Sequence, residues 1–579
     1  MTSLINALDN YTPTQIGENG REEYGWSNLI QESIVQFSFQ LTRTDEKGLS
    51  RLEHVLSKLL TKLSIKIDYG SISEKEVARD YLSILYKMIG HTRDIVDGKG
   101  EYTLTYMMIY TWYNFYPELS KFALKCLVDL GDINIHQYGS WKDIKYFCEY
   151  CKNKSLINTH DLIIYAIEIT NQQLRKDHAN LISNSKDVSL AAKWIPREKS
   201  SFGWLYKNLA THYFSNIIAS AKCDNRKTSA ILKCKTDYRK LLSSLNRHIE
   251  TVQINQCGHK WANINFNKTA SITLTKQKKA FLNVNKSGDV RFPYYGDRIK
   301  CAEHFKDHIQ EAIKGKTEIK GARVGMADFT KQAIDLAIRG SQVEKDLLNS
   351  QWRDNSSQNG GLGKMIAMVD VSGSMDGDPM NVAIALGIRI AEKSALGKRV
   401  MTFSSNPTWV NLEQQNDFVS QVQVIKNAEW GMKTNFHAAL DTILSAIIQN
   451  KMSSEDVDDL ILVVLSDMQM DCGDNCDKSV LYETMKQKYE LAGIRVHGRP
   501  YKPPHILFWN LRSTSGFPSL SNQPNTSMMS GFSPVLLNLF CDQGISAVKS
   551  CSPWSLLLKT LENKRYKIMS DTISKSILI

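Results

Sequence analysis

From Trp26 onward, apolar residues recur at three- and four-residue spacing. In SRLEHVLSKLLTKLSI, Leu52, Val55, Leu59, Leu60 and Leu63 line one face of a predicted helix. EVARDYLSILYKMIGHTRDI and ELSKFALKCLVDLG carry the same period, the latter ending on a plausible capping glycine, Gly131. Further amphipathic stretches fall around residues 160–175, 201–220, 228–252 and 301–314, with few strand-like alternations between them. Residues 26–350 therefore read as stacked helices, and residues 1–25, polar and punctuated by GENG, as a flexible tail.

The rhythm then changes. RDNSSQNGGLG is small, polar and glycine-rich, which predicts a linker over residues 351–363. Beyond it, continuous apolar runs alternate with amphipathic stretches. KMIAMVD, KRVMTFS, DLILVVLSD and HILFWNL read as buried strands. PMNVAIALGIRIAEKSAL, NFHAALDTILSAIIQN and KSVLYETMKQKYELAG read as the helices between them, the first opening on Pro379, where proline is tolerated. Such alternation predicts a doubly wound, mainly parallel sheet over residues 364–579, with SPWSLLLKTLENKRYKIM as a terminal helix. The expected fold class is thus α plus α/β in two domains.

Composition adds little until charge is placed along the chain. The 579 residues are 42% hydrophobic and 23% charged, an ordinary globular balance at a length that calls for more than one core. No apolar run is long enough to span a bilayer, and the first twenty residues lack the basic-then-apolar order of a signal peptide. The 11 cysteines are odd in number and irregularly spaced, as in reduced cytosolic or nuclear proteins. Cys148 and Cys151 form a solitary C-x-x-C, a weak zinc or redox signal, and DCGDNCD (Asp471 to Asp477) lacks the order of a calcium loop. Residues 361–579 balance 21 basic against 21 acidic side chains, so the whole net excess of +12 lies in residues 1–360. A polyanion such as nucleic acid is the partner that this split suggests, a lysine-rich soluble surface the plainer explanation.

Candidate chemistry gathers at the predicted strand ends, where ligands bind in open α/β sheets. Asp370, Ser372 and Ser374 follow the first strand, Asp467 ends DLILVVLSD, and Thr434 precedes a helix in WGMKTNF. Alternate side chains of an extended D-x-S-x-S point the same way, and an all-oxygen set with two carboxylates suits Mg²⁺ or Mn²⁺. Capping of the following helix would account for one or two of these residues, not five. D-x-S-x-S, then a loop threonine, then a strand-end aspartate resembles the metal-ion-dependent adhesion site (MIDAS) of von Willebrand factor A domains. That resemblance implies one divalent ion held by the hydroxyls of Ser372, Ser374 and Thr434. Asp370 and Asp467 would act directly or through water, and a protein partner's carboxylate would complete the sphere.

HTRDIVDGKGEYTLTYMMIYTWY, YGSWKDIKYF, LAAKWIPREKSSFG, DYRKLLSSLNRHIETVQ, LSDMQMD, ILFWNLR and MMSGFSPVLLNLF resemble the DUF2828 family of plants and giant DNA viruses, across most of residues 25–575. That family is similar in turn to the Ro (TROVE) proteins, which implies HEAT-like helices that bind small noncoding or single-stranded RNA. From the residues themselves, basic and aromatic side chains interleave at Lys193–Lys207, Lys233–Lys240 and Lys276–Phe281. Lys193, Lys233, Lys235, Arg239, Lys240, Lys278 and Lys279 are the candidate RNA contacts, although rings in helical repeats more often pack between helices and lysines are more often solvated. The reading is a cytoplasmic or nuclear, non-enzymatic binding scaffold: RNA on the helical module, a protein on the metal-bearing domain. A metal-dependent protein scaffold without RNA is the alternative, and a purely structural scaffold a third. A metal-dependent hydrolase fits less well, since one metal site is evident and His437, three residues beyond Thr434, is not a positioned base.

Overall fold

The computed structural model describes residues 13–577 except 19, 21, 133, 222, 404–406, 429–435, 459, 470–480 and 543–550. The segment expected as a loose tail is partly built into the fold. β1 (Thr14–Ile16) and β2 (Glu22–Tyr24) pair antiparallel, with Thr14 opposite Tyr24. Tyr24 and Phe517 then exchange two backbone hydrogen bonds of 3.0 Å, which fasten this hairpin to the far end of the chain.

Helices dominate from Ile30 to Ser356. In the helix Glu46–Tyr69, Leu52, Leu56, Leu59, Leu60 and Leu63 are buried, close to the stripe the spacing predicts, and Asp45 caps its first turn. A reciprocal Ser71–Glu74 capping box starts the helix Ile72–Arg93. The helix Pro117–Cys126 stops short of Gly131, which takes a positive φ of 79° in the turn beyond instead of capping the helix directly. No helix among the described residues is long and apolar enough to cross a membrane.

The C-terminal half holds a mixed sheet of six strands: β3 (Met365–Asp370), β4 (Arg399–Phe403), β5 (Thr408–Asn411), β6 (Ile461–Ser466), β7 (His505–Asn510) and β8 (Thr526–Ser530). Their order is β5-β4-β3-β6-β7-β8, all parallel except β5, which pairs antiparallel with β4 at one edge. β3 is buried throughout, because both faces are covered. Ile366 and Met368 join a core continuous with the N-terminal helices, while Met365, Ala367 and Val369 join another with the helices Met326–Arg339 and Asp378–Lys393.

The stretch expected as a linker is a packed joint. Its first part belongs to the helix Gln342–Ser356, and Trp352 within it is 3% exposed. That indole stacks on Phe418 with centroids 3.9 Å apart, donates to Glu392, and lies 4.3 Å beneath the Arg389 guanidinium. Arg389, fully buried, donates in turn to Asn355 and Asn359. The terminal stretch is two helices, Pro553–Leu561 and Lys567–Ser576, and not one. Between them Arg565 forms a two-pronged pair with Asp94 at 2.6 and 2.8 Å, which docks the end of the chain on the helix Ile72–Arg93.

Candidate functional site

The chain leaves β3 for β4 on one side and later returns to β6 on the other, so β3 and β6 flank the point where strand order reverses. In open α/β sheets that reversal is where ligands bind, beyond the carboxyl ends of the strands. Asp370 is the last residue of β3, and Asp467 directly follows β6, whose register pairs Leu465 with Val369. Adjacent parallel strands therefore deliver two carboxylates to one place, both fully buried.

Hydroxyls surround them. Asp370 accepts from the Ser372 backbone N–H at 2.9 Å and from the Ser466 hydroxyl at 2.6 Å. The Ser372 and Ser374 hydroxyls lie 3.2 Å apart, and Ser374 also hydrogen-bonds Asp467. Burial, then the facing charge of Asp467, pushes Asp370 up to about 7 against its hydrogen bonds. Burial also raises Asp467, opposed chiefly by Arg512. The Asp467 Oδ2 atom is buried with no hydrogen bond; Arg512 Nε stands 3.0 Å away without hydrogen-bond alignment.

This donor set fits a small divalent cation. Two mutually repelling carboxylates match its charge, and Asp467 Oδ2 and the paired serine hydroxyls are hard oxygen donors. Asp370, Ser372, Ser374 and Asp467 are thus brought together as the spacing predicts, whereas Thr434 lies outside the described residues, as does DCGDNCD. No group of three or more His, Cys, Asp or Glu side chains suited to a metal occurs among the described residues, so an ion here would rest on two carboxylates and hydroxyls. Ser466, Gln469 and Arg512 escaped the sequence reading. Ser466 alone was signalled, by its place in LSD. Cys148 and Cys151 are buried, with thiols pushed well up by burial, which argues against metal or redox work.

The candidate RNA residues separate. Lys235 and Arg239 both reach Glu198, at 3.3 and 3.8 Å, and Lys240 leans toward Asp237, while Lys233 is exposed on the same helix. Lys278 donates to Gln332 and Lys279 to the Lys286 carbonyl; their helix packs in a separate small core. Lys193 instead joins a ledge built with the helix Trp141–Ser155. Lys142 lies 5.3 Å from the Tyr146 ring centre, Lys145 5.2 Å from Phe202, Lys152 4.9 Å from Trp204 and Lys193 5.8 Å from Trp194. The lysines of that helix were missed because only folding sets them beside the rings of residues 194–204.

Residues 160–358 match the family model of DUF2828, a domain of unknown function, and residues 364–571 match that of DUF7788, also a domain of unknown function. An uncharacterized protein of Acanthamoeba polyphaga mimivirus is 28% identical over 521 residues, which cover 87% of this chain and 83% of the relative. Two successive stretches of the chain are therefore similar to domains of unknown function, DUF2828 first and DUF7788 after it.

Proposed function

We propose that the chain is a non-enzymatic binding scaffold that captures a protein partner through one Mg²⁺ or Mn²⁺ ion at the carboxyl ends of its central strands. The observation that carries this reading is the convergence of Asp370 and Asp467, both fully buried, with the Ser372 and Ser374 hydroxyls at the strand-order reversal. Metal-dependent adhesion in a von Willebrand A-like fold is the activity this arrangement supports best. The ion would supply a Lewis-acidic point for a partner's carboxylate. Ser372 and Ser374 would hold it, Asp370 and Asp467 would balance its charge, and Thr434 would complete the set by resemblance. Display of random peptides to the immobilised full-length chain tests this. Acidic peptides should be selected with Mg²⁺, lost with a chelator and lost in Asp467→Asn; selection indifferent to Mg²⁺ would overturn it.

The helical region, TROVE-like on this reading, would hold single-stranded RNA. What favours RNA over a bare protein scaffold is the ledge of Lys142, Lys145, Lys152 and Lys193 over Tyr146, Phe202, Trp204 and Trp194. Cations beside ring faces serve phosphates and bases together. Cytoplasmic or nuclear residence accords with such a role.

A further inference from the structure

The rim of the candidate cation site is occupied by the chain's own N-terminal hairpin. Between β1 and β2, Glu18 reaches the loop after β7, where its carboxylate accepts from Arg512 Nη2 at 2.7 Å. The same guanidinium presents Nε to Asp467 Oδ2 at 3.0 Å. One arginine thus bridges the hairpin and the buried carboxylate. The hairpin is also seated by its backbone: the Glu18 N–H donates to Gln469 Oε1 at 2.7 Å, two residues beyond Asp467. The Gln15 amide donates to Ser515 at 3.3 Å, and Tyr24 pairs with Phe517. Glu23, 9% exposed, accepts from Gln15 and from Gln469. Apart from the Gln15–Glu23 bond within the hairpin, these contacts fall on the loops after β6 and β7, beside Asp467.

We propose that Arg512 is an internal counter-ion for Asp467, held in place by Glu18, so that cation binding and hairpin docking oppose one another. This rests on the cation reading of the site. A divalent ion sharing Oδ2 repels a guanidinium a few ångströms away, and the partly exposed Arg512 can swing outward. Moving it breaks the Glu18 pair and loosens the loop between β1 and β2, which uncovers the rim where a partner's carboxylate must approach. Linkage makes the effect reciprocal: whatever frees Arg512 tightens the cation.

The test uses full-length wild type, Arg512→Gln and Glu18→Gln, with Mn²⁺ titrated by calorimetry. Hydrogen exchange at residues 14–24 is read with and without Mg²⁺. Removing the guanidinium should tighten Mn²⁺ about tenfold. Removing the more exposed Glu18 charge should tighten it only about threefold. Mg²⁺ should speed exchange of the Glu18 and Tyr24 amides. If wild type binds Mn²⁺ but neither variant binds it more tightly and exchange is unchanged, the latch is wrong and the cation site stands. If neither wild type nor Arg512→Gln binds Mn²⁺ at millimolar concentration, the cation reading falls and takes the latch with it.

Discussion

Replacing Lys142 and Lys145 by glutamine should change how RNA affinity responds to salt, not merely lower it. These two lysines supply half the cations of the ledge, the others being Lys152 and Lys193. If each of the four neutralises one phosphate of a single strand, log affinity should fall with log salt at a slope of about −2.8. From 50 to 200 mM salt that is a loss of about fifty-fold; with two lysines removed the slope is about −1.4 and the loss about sevenfold. Glutamine keeps the stems over Tyr146 and Phe202, so packing of the helix Trp141–Ser155 is spared. A matched variant, Lys235→Gln with Arg239→Gln, should move the slope less, since Glu198 already engages both side chains. Fluorescence anisotropy of a labelled uridine-rich strand, at five salt concentrations, measures all three slopes. A wild-type slope shallower than −1, or the same slope in the Lys142/Lys145 variant, would refute the ledge as the RNA surface.

Trp352→Ala should destabilise the protein by about 5 kcal/mol, since it empties a buried indole site and removes its stack on Phe418. Urea unfolding checks this, and a loss under about 1.5 kcal/mol would mean the joint is looser than its geometry. Acid should weaken the fold through His91 and His505, which burial lowers to about 3 and about 4 from 6.5. Below pH 6.5 the unfolded chain takes up protons that the folded chain refuses, so this stability is whole above pH 6.5 and is lost toward pH 3. By pH 4.5 His91 alone should account for about 3 kcal/mol. Asp370, raised to about 7, takes up its proton first in the folded state and works the opposite way, so the test is a difference. The stability gap between wild type and His91→Gln should shrink by that amount from pH 7 to 4.5, and a constant gap would contradict a neutral His91.

How much was legible depends on the distance over which residues act. Asp370, Ser372 and Ser374 lie within one turn of chain, and Asp467 announces itself by ending an apolar run, so periodicity alone placed them at strand ends. Arg512 could not be found that way. Its meaning comes from Asp467 and from Glu18, the latter 494 residues away, and an exposed-looking arginine carries no mark of either. The ledge failed for the same reason, since Lys142 and Lys145 meet the rings of residues 194–202 only after folding. The joint misled for a different reason. Asn355 and Asn359 read as solvent-loving, yet they are buried as acceptors for Arg389, so their polarity marks a buried network and not a linker. In the helices the apolar stripe was enough, because leucines at three- and four-residue spacing have one way to leave water.

The central claim is that buried Asp370 and Asp467 hold a divalent ion with the neighbouring hydroxyls. Titration of the full-length chain with Mn²⁺, followed by electron paramagnetic resonance of the free ion, tests it most directly. One ion should bind per chain, with affinity lowered about a hundredfold in Asp467→Asn and at least tenfold in Ser372→Ala with Ser374→Ala. No uptake by the wild type, or uptake unchanged by these substitutions, would contradict it.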